Sequence, residues 1–193
     1  MVFFCINFAF FCEWAYTFYI QTVVMREDKR EIIEVHVAGI CFRETVNHIE
    51  VLIAKRRSTR TLYPGLWECG GGQVNSGENF EEAVVRHMRE ELGVIVEQAI
   101  AFSTYEILVP ELEQKKIPGV KFVCFSNGYV HGATGPVFDE REHSECCWRS
   151  IDDLSSFDFI PGVLDDIRLG WEVFSRNSNF FYNQKQRRWS DHS

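Results

Sequence analysis

Residues 71–94 read GGQVNSGENFEEAVVRHMREELGV, and the rest of the chain is best understood outward from them. Asn79 followed three residues later by Glu82 is a capping-box pattern, and Gly93 suits the left-handed position that follows a helix end. The spacing therefore predicts a helix that opens after Asn79 and runs to Leu92. At about 100° per residue, Val84, Val85, Met88 and Leu92 share one arc, the core-facing stripe. His87, Glu90 and Glu91 fall on the adjoining arc with Ala83 among them. A carboxylate at the edge of a buried stripe loses hydration and needs a cation or a donor to answer it. Arg86, one turn before Glu90, and a bound metal could both do so.

A Glu-Glu pair near a helix end is, in an arbitrary helix, a solvated charged face. Here three consecutive glycines, Gly70 to Gly72, lead into the helix and leave backbone amides and carbonyls unobstructed. Helix amino ends carry a partial positive charge that favours phosphate. Hard divalent cations take oxygen ligands and retain water. Together, open backbone and carboxylates on one helical face describe a site for a metal and a diphosphate.

The pattern Gly72-x5-Glu78-x7-Arg86-His87-Met88-x-Glu90-Glu91-x-Gly93-Val94 resembles the Nudix box, Gx5Ex7REUxEExGU, where U is a bulky aliphatic residue. Eight of the nine fixed positions match. The PGLWECGGG approach resembles the strand that leads into the box, and a looser likeness spans about Glu31 to Phe174. The resemblance implies an α+β fold, a Nudix-type α/β/α sandwich with a mixed β-sheet between helices. It also implies hydrolysis of a nucleoside diphosphate linked to another moiety, with Mg²⁺ or Mn²⁺. Carried over by position, Glu90 and Glu91 become metal ligands and catalytic groups. Arg86 orients a glutamate, Glu78 braces the loop or reaches the metal through water, and the Gly71 carbonyl completes the metal site. Gly71, Gly72 and Arg86 would then lie against the substrate.

His87 departs from the pattern, because the family normally places there a glutamate that binds metal and assists water attack. Imidazole is a poor partner for Mg²⁺ and a better one for manganese or zinc. Four readings follow: a ligand for a softer metal, a general base working near neutral pH, the mark of a protein that binds a nucleotide without cutting it, or an exposed helix residue with no role. The alternative function is thus a catalytically impaired Nudix-fold module that binds a nucleotide or diphosphate.

Family members supply a further carboxylate from a loop before a late strand. The segment DEREHSECCW offers Glu140, Glu142, His143 and Glu145, with Glu142 and Glu145 the catalytic candidates. Lys55, Arg56, Arg57 and Arg60 precede the glycine strand, and Arg56 and Arg57 are candidates for holding phosphates through charge-assisted bonds. The same run also reads as ordinary surface. Trp67 and Phe125 read as core in preference to base stacking. The stretch AKRRSTRTLYPGLWE resembles isopentenyl-diphosphate isomerases, in which a cysteine near this tryptophan transfers protons. Cys69 stands two residues after Trp67, yet the cysteine setting of those enzymes is not reproduced, and this activity ranks below the others.

Around the box, IIEVHVAGICF and IEVLIAKR read as a β-hairpin. VIVEQAIAFSTYEILV and VKFVCFSNGYVHG form a second strand pair, ECCWRSI a short strand, and Val163 to Phe174 a closing helix. The tail QKQRRWSDHS is polar enough to fray. A Nudix domain is expected over residues 25–180, with a polar tail at 181–193. The first 24 residues are rich in Phe and lack Lys and Arg. They fit neither a secretory signal nor a spanning helix, because Asn7, Glu13 and Gln21 interrupt them and no basic flank precedes them. They read as an accessory extension or as a consequence of start-site choice, with a membrane anchor as the lower-ranked alternative.

A formal charge of −8 argues against a surface devoted to long nucleic acid, which needs clustered Lys and Arg. The partner expected is a small nucleoside diphosphate derivative; a membrane is not expected, and a homodimer is compatible with the sequence. Seven cysteines without a CxxC pair read as reduced thiols of a cytoplasmic protein. Of the adjacent Cys146 and Cys147, one is expected buried and the other exposed.

Overall fold

The computed structural model describes residues 33–46, 48–109 and 115–190, and a compact unit runs from Glu34 onward. The expected extension over residues 1–24 lies outside the described residues, as do Cys5 and Cys12. Among the described residues, no helix is long and apolar enough to cross a membrane.

The first hairpin forms as its β-branched runs suggest, with β1 (His36–Glu44) antiparallel to β2 (Ile49–Arg56) and Phe42 opposite Val51. Only the carboxyl end of β1 pairs with β2. Its amino half pairs instead with the glycine strand β4 (Gly70–Gln73), placing Ala38 opposite Gly71. The other edge of β1 runs parallel to β6 (Lys115–Tyr129), which pairs antiparallel with β5 (Val94–Val109). Beyond β2 lie β3 (Trp67–Glu68) and β7 (His143–Ser150), both antiparallel to it. The sheet is therefore mixed.

Helix α1 (Phe80–Leu92) covers one face and α2 (Val163–Ser190) is the closing helix. Each face has its own core. Val84, Met88 and Leu92 of α1 pack with Val37, Cys41, Leu52, Cys124 and Trp148. On the other face Ile167 and Phe174 of α2 pack with Ile40, Phe42, Ile53 and Trp67. The alternation of Ile40 and Phe42 against Val37 and Cys41 along β1 is the period of two that sends neighbouring side chains to opposite faces. The result is the expected α+β sandwich, with a mixed sheet between two helices.

Three local expectations need correction. Ala83 is fully buried in α1 while Val85 is only half-buried, because the helix leans toward β4, where glycines admit close approach. Cys146 and Cys147 are both half-buried, since β7 has a core on each side and the two thiols pack against different ones. The closing helix continues past Phe174 to Ser190; after Gly170 the chain has no Gly or Pro, and its Gln, Lys and Arg residues are good helix formers.

Candidate active site

The loop between β4 and α1 is organised by local hydrogen bonds. The Asn79 side chain accepts from the Glu82 amide at 2.9 Å, and the Glu82 carboxylate accepts from the Asn79 amide at 2.9 Å, closing the capping box. At the far end Gly93 takes φ 66°, and its amide donates to Arg89. Gly71 is required for a different reason: a side chain there would bring its Cβ within 2.3 Å of the Val37 carbonyl oxygen.

Arg86 ties this loop to the helix. Its Nε donates to Glu78 Oε1 at 2.7 Å, and its Nη2 donates to Glu78 Oε2 at 2.9 Å and to the Gln73 carbonyl at 3.0 Å. Glu78 also accepts from the Asn75 amide at 3.0 Å. The guanidinium, and then the Asn75 amide, hold the Glu78 carboxyl down at about 2. Arg86 reaches Glu90 only at 3.5 Å, so the glutamate that it chiefly orients is Glu78. Glu90, with a side chain 62% exposed, faces outward.

His87 is buried, at 9% exposure. Its Nδ1 lies 2.6 Å from Glu91 Oε1 and its Nε2 lies 3.0 Å from the Gln73 carbonyl oxygen. Each nitrogen thus faces an oxygen acceptor, and the Arg86 Nη2 donor also lies 3.3 Å from Nε2. Burial disfavours the charged ring, but the Glu91 carboxylate and the Gln73 carbonyl outweigh it, and the pKa of His87 is raised above its ordinary value. The ring stacks over Gly72, where a Cβ would meet it at 2.4 Å. The reading of His87 as an exposed helix residue is thereby overturned.

The box residues are accordingly brought together: Gly71 and Gly72 on β4, Glu78 on the loop, and Arg86, His87, Glu90 and Glu91 on α1. As a donor set they offer a divalent cation two neighbouring carboxylates, Glu90 and Glu91, which with waters suits a hard ion. Among the described residues, no group of three or more His, Cys, Asp and Glu side chains is arranged to hold a metal.

The other candidates form a second cluster. Arg56 Nη1 donates to both Glu68 oxygens at 2.7 and 3.0 Å, and His143 Nε2 lies 3.1 Å from Glu68 Oε1. His143 is 2% exposed. Arg57 donates to the Glu140 carbonyl, and Arg60 pairs with Glu142 at 2.8 Å. Glu145 is exposed on β7, opposite Lys55. These arginines latch the segment before β7 onto the segment after β2, and Arg56 turns its charge toward Glu68. The cluster also approaches the box, because the Asp139 amide donates to the Glu91 carbonyl at 2.8 Å.

Glu68 was not singled out by the sequence. Its signal is a lone charge between Trp67 and Cys69 in a strand that is otherwise apolar or glycine. Trp67 and Phe125 both sit in the α2-side core, with Trp67 edge-on to Phe157 at 5.0 Å. Packing pushes the Cys69 thiol well above its ordinary value, which leaves little thiolate for the proton transfer of the isomerase reading.

Comparison with known proteins gives a consistent picture. The NUDIX domain family profile matches residues 34–166. The chain is similar to the uncharacterized Nudix hydrolase YvcI of Bacillus subtilis, 23% identical over 133 residues that cover 67% of this chain and 77% of that protein. Over a shorter stretch of 42 residues it is 50% identical to the nucleoside triphosphatase NudI of Escherichia coli, covering 22% of this chain and 30% of that protein. Among solved structures it resembles the NUDIX domain of Shewanella oneidensis NrtR complexed with ADP ribose. That match has a TM-score of 0.62 at 15% identity, covering 81% of this chain and 97% of the other, and at that identity it speaks for the fold.

Proposed function

This chain belongs to the Nudix family, a family of hydrolases of nucleoside diphosphate derivatives, and on that premise we propose that it binds a small nucleoside diphosphate derivative against β4 and α1 and hydrolyses its diphosphate. The observation that carries this reading is the Arg86 brace. By holding Glu78 and the Gln73 carbonyl together, it fixes the glycine strand beside the helix face that bears Glu90 and Glu91.

In this reading the amides of the glycine loop and the amino end of α1 receive the diphosphate oxygens. Mg²⁺ or Mn²⁺ would be held by Glu90, Glu91 and the Gly71 carbonyl, and when bound it supplies positive charge that polarises the diphosphate. Glu91 shares one oxygen with His87, whereas Glu90 faces solvent. In this proposal Glu90, through an oxygen turned away from the cation, takes a proton from an attacking water as the water oxygen bonds to phosphorus and the bridging P–O bond breaks, the phosphate leaving with the bridging oxygen. Glu142, whose amide donates to the Asp139 carbonyl at 3.0 Å, and Glu145 belong to the same proposal as supporting groups. Arg57, which is exposed and donates to the Glu140 carbonyl, is the better of the two phosphate-binding candidates, since Arg56 is paired with the Glu68 carboxylate. Residues 25–180 would form the functional domain, acting in the cytoplasm, with homodimer formation left to direct measurement.

A second reading, binding without turnover, is favoured by one observation: His87 occupies the position of a metal-binding glutamate with both nitrogens already facing oxygen acceptors. A panel of nucleoside diphosphate derivatives, assayed for product in Mg²⁺ and separately in Mn²⁺, separates the two. Turnover that is lost in Glu91→Gln supports hydrolysis. Ligand-induced thermal stabilisation with no product from the natural sequence, together with product from His87→Glu, transfers the conclusion to the binding module. Neither binding nor turnover across the panel contradicts both.

A further inference from the structure

Where the Nudix pattern calls for a third acidic side chain, this chain places a ring that connects two elements. His87 reaches from α1 to the Gln73 carbonyl at the end of β4 through Nε2, at 3.0 Å, and to Glu91 one turn further along α1 through Nδ1, at 2.6 Å. Arg86 makes a parallel connection to the same carbonyl, also at 3.0 Å. Gly72 lacks the side chain that would collide with the ring, whose three nearest atoms would lie 2.4, 2.8 and 3.0 Å from a Cβ there. The glycine and the histidine are thus fitted to one another, and the ring is buried.

A divalent ion in such a loop and helix would do two things: offset clustered carboxylates, and connect backbone oxygen to side-chain oxygen. Arg86 already does both with N–H groups, and His87 bridges the Glu91 carboxylate and the Gln73 carbonyl with its two ring nitrogens. An ion approaching Glu91 would meet a carboxylate already engaged through one oxygen, at 2.6 Å, by His87. It would also find a ring nitrogen where a hard cation needs oxygen, at a metal–oxygen distance of about 2.0–2.1 Å for Mg²⁺.

We propose that His87 replaces a resident divalent ion as the strut between β4 and α1, so that the ligand-free protein keeps its loop geometry without metal and any cation the site uses enters on the diphosphate of its ligand. The second half rests on the function proposed above; the first half rests on the His87 geometry alone. Such a site is assembled in one step from protein and a metal–diphosphate complex. It gains nothing from a preloaded ion.

Mn²⁺ binding to the full ligand-free chain, followed by loss of the free Mn²⁺ electron paramagnetic resonance signal, tests the first half. The natural protein is expected to bind at least on the order of tenfold more weakly than His87→Glu, which restores an oxygen ligand, and its melting temperature is expected not to move on addition of EDTA. Mn²⁺ binding by the natural protein as tight as by His87→Glu would overturn the proposal. So would a lower melting temperature in EDTA, a readout that needs no variant to fold. For the second half the probe is α,β-methylene-ADP, which cannot be hydrolysed at its bridge. Its affinity for the natural protein is expected to rise at least about tenfold when Mn²⁺ is present, and equal affinity with and without Mn²⁺ would overturn that half. If the analogue failed to bind in either condition, the proposed ligand class would fall, while the Mn²⁺ and EDTA results would still decide whether His87 is the strut.

Discussion

The two faces of the sheet solve opposite packing problems. Under α2 the core is filled with large rings: Phe42 lies 5.2 Å from Phe174, Trp171 stacks on Phe174 at 5.8 Å, and Trp67 meets Phe157 edge-on. Under α1 the strands present glycines. Added Cβ atoms at Gly39 and Gly70 would strike Met88, and one at Gly72 would strike His87. Filling makes a face stable, whereas leaving out side chains lets a helix and its polar groups come within hydrogen-bond distance of a strand backbone. The Nudix box lies on the face that was left open.

Substitutions should do damage by opposite means on the two faces, by emptying one and by overfilling the other. The largest effect is expected from Phe42→Ala, which opens a cavity among the aromatic rings and should cost about 3–5 kcal/mol in chemical denaturation while leaving ligand affinity in place. Gly71→Ala should act by filling. Its Cβ meets backbone, which yields less readily than a side chain, so a loss of about 1–3 kcal/mol is expected together with weakened ligand binding. If Gly71→Ala bound ligand normally, the close approach of β4 to β1 would have no part in the site. Asn79→Ala should remove the cap of α1 and lower stability by about 1 kcal/mol.

The smallest effect concerns acid. Glu78 titrates near 2 in the folded chain against an ordinary 4.5, so its contribution to stability is complete above the ordinary value and is lost as pH falls from there through about 2. Glu78→Gln should flatten that part of the stability–pH curve. An unchanged curve would show that the Arg86 brace contributes nothing in solution.

What the sequence disclosed follows the range of the interactions involved. The capping box at Asn79 and Glu82, the left-handed Gly93 and the extent of β5 are set by neighbours a few residues apart, and all were readable. The Nudix spacing is equally local. By contrast, Arg56, Glu68 and His143 meet only because β2 pairs with β3 on one edge and β7 on the other, a register that no local pattern encodes. Burial of His87 was half legible: its arc beside the core stripe was, but its contact with the Gln73 carbonyl depends on where β4 docks. The full reach of α2 was missed because its apolar period ends before its helix propensity does.

The most direct test of the central claim is amide hydrogen exchange on the full chain with and without α,β-methylene-ADP and Mn²⁺. Slowed exchange concentrated over residues 70–79 and the first turn of α1 is the predicted result. Protection confined to other parts of the sheet, with those amides unchanged, would contradict the assignment of the glycine strand and α1 as the place where the diphosphate is held.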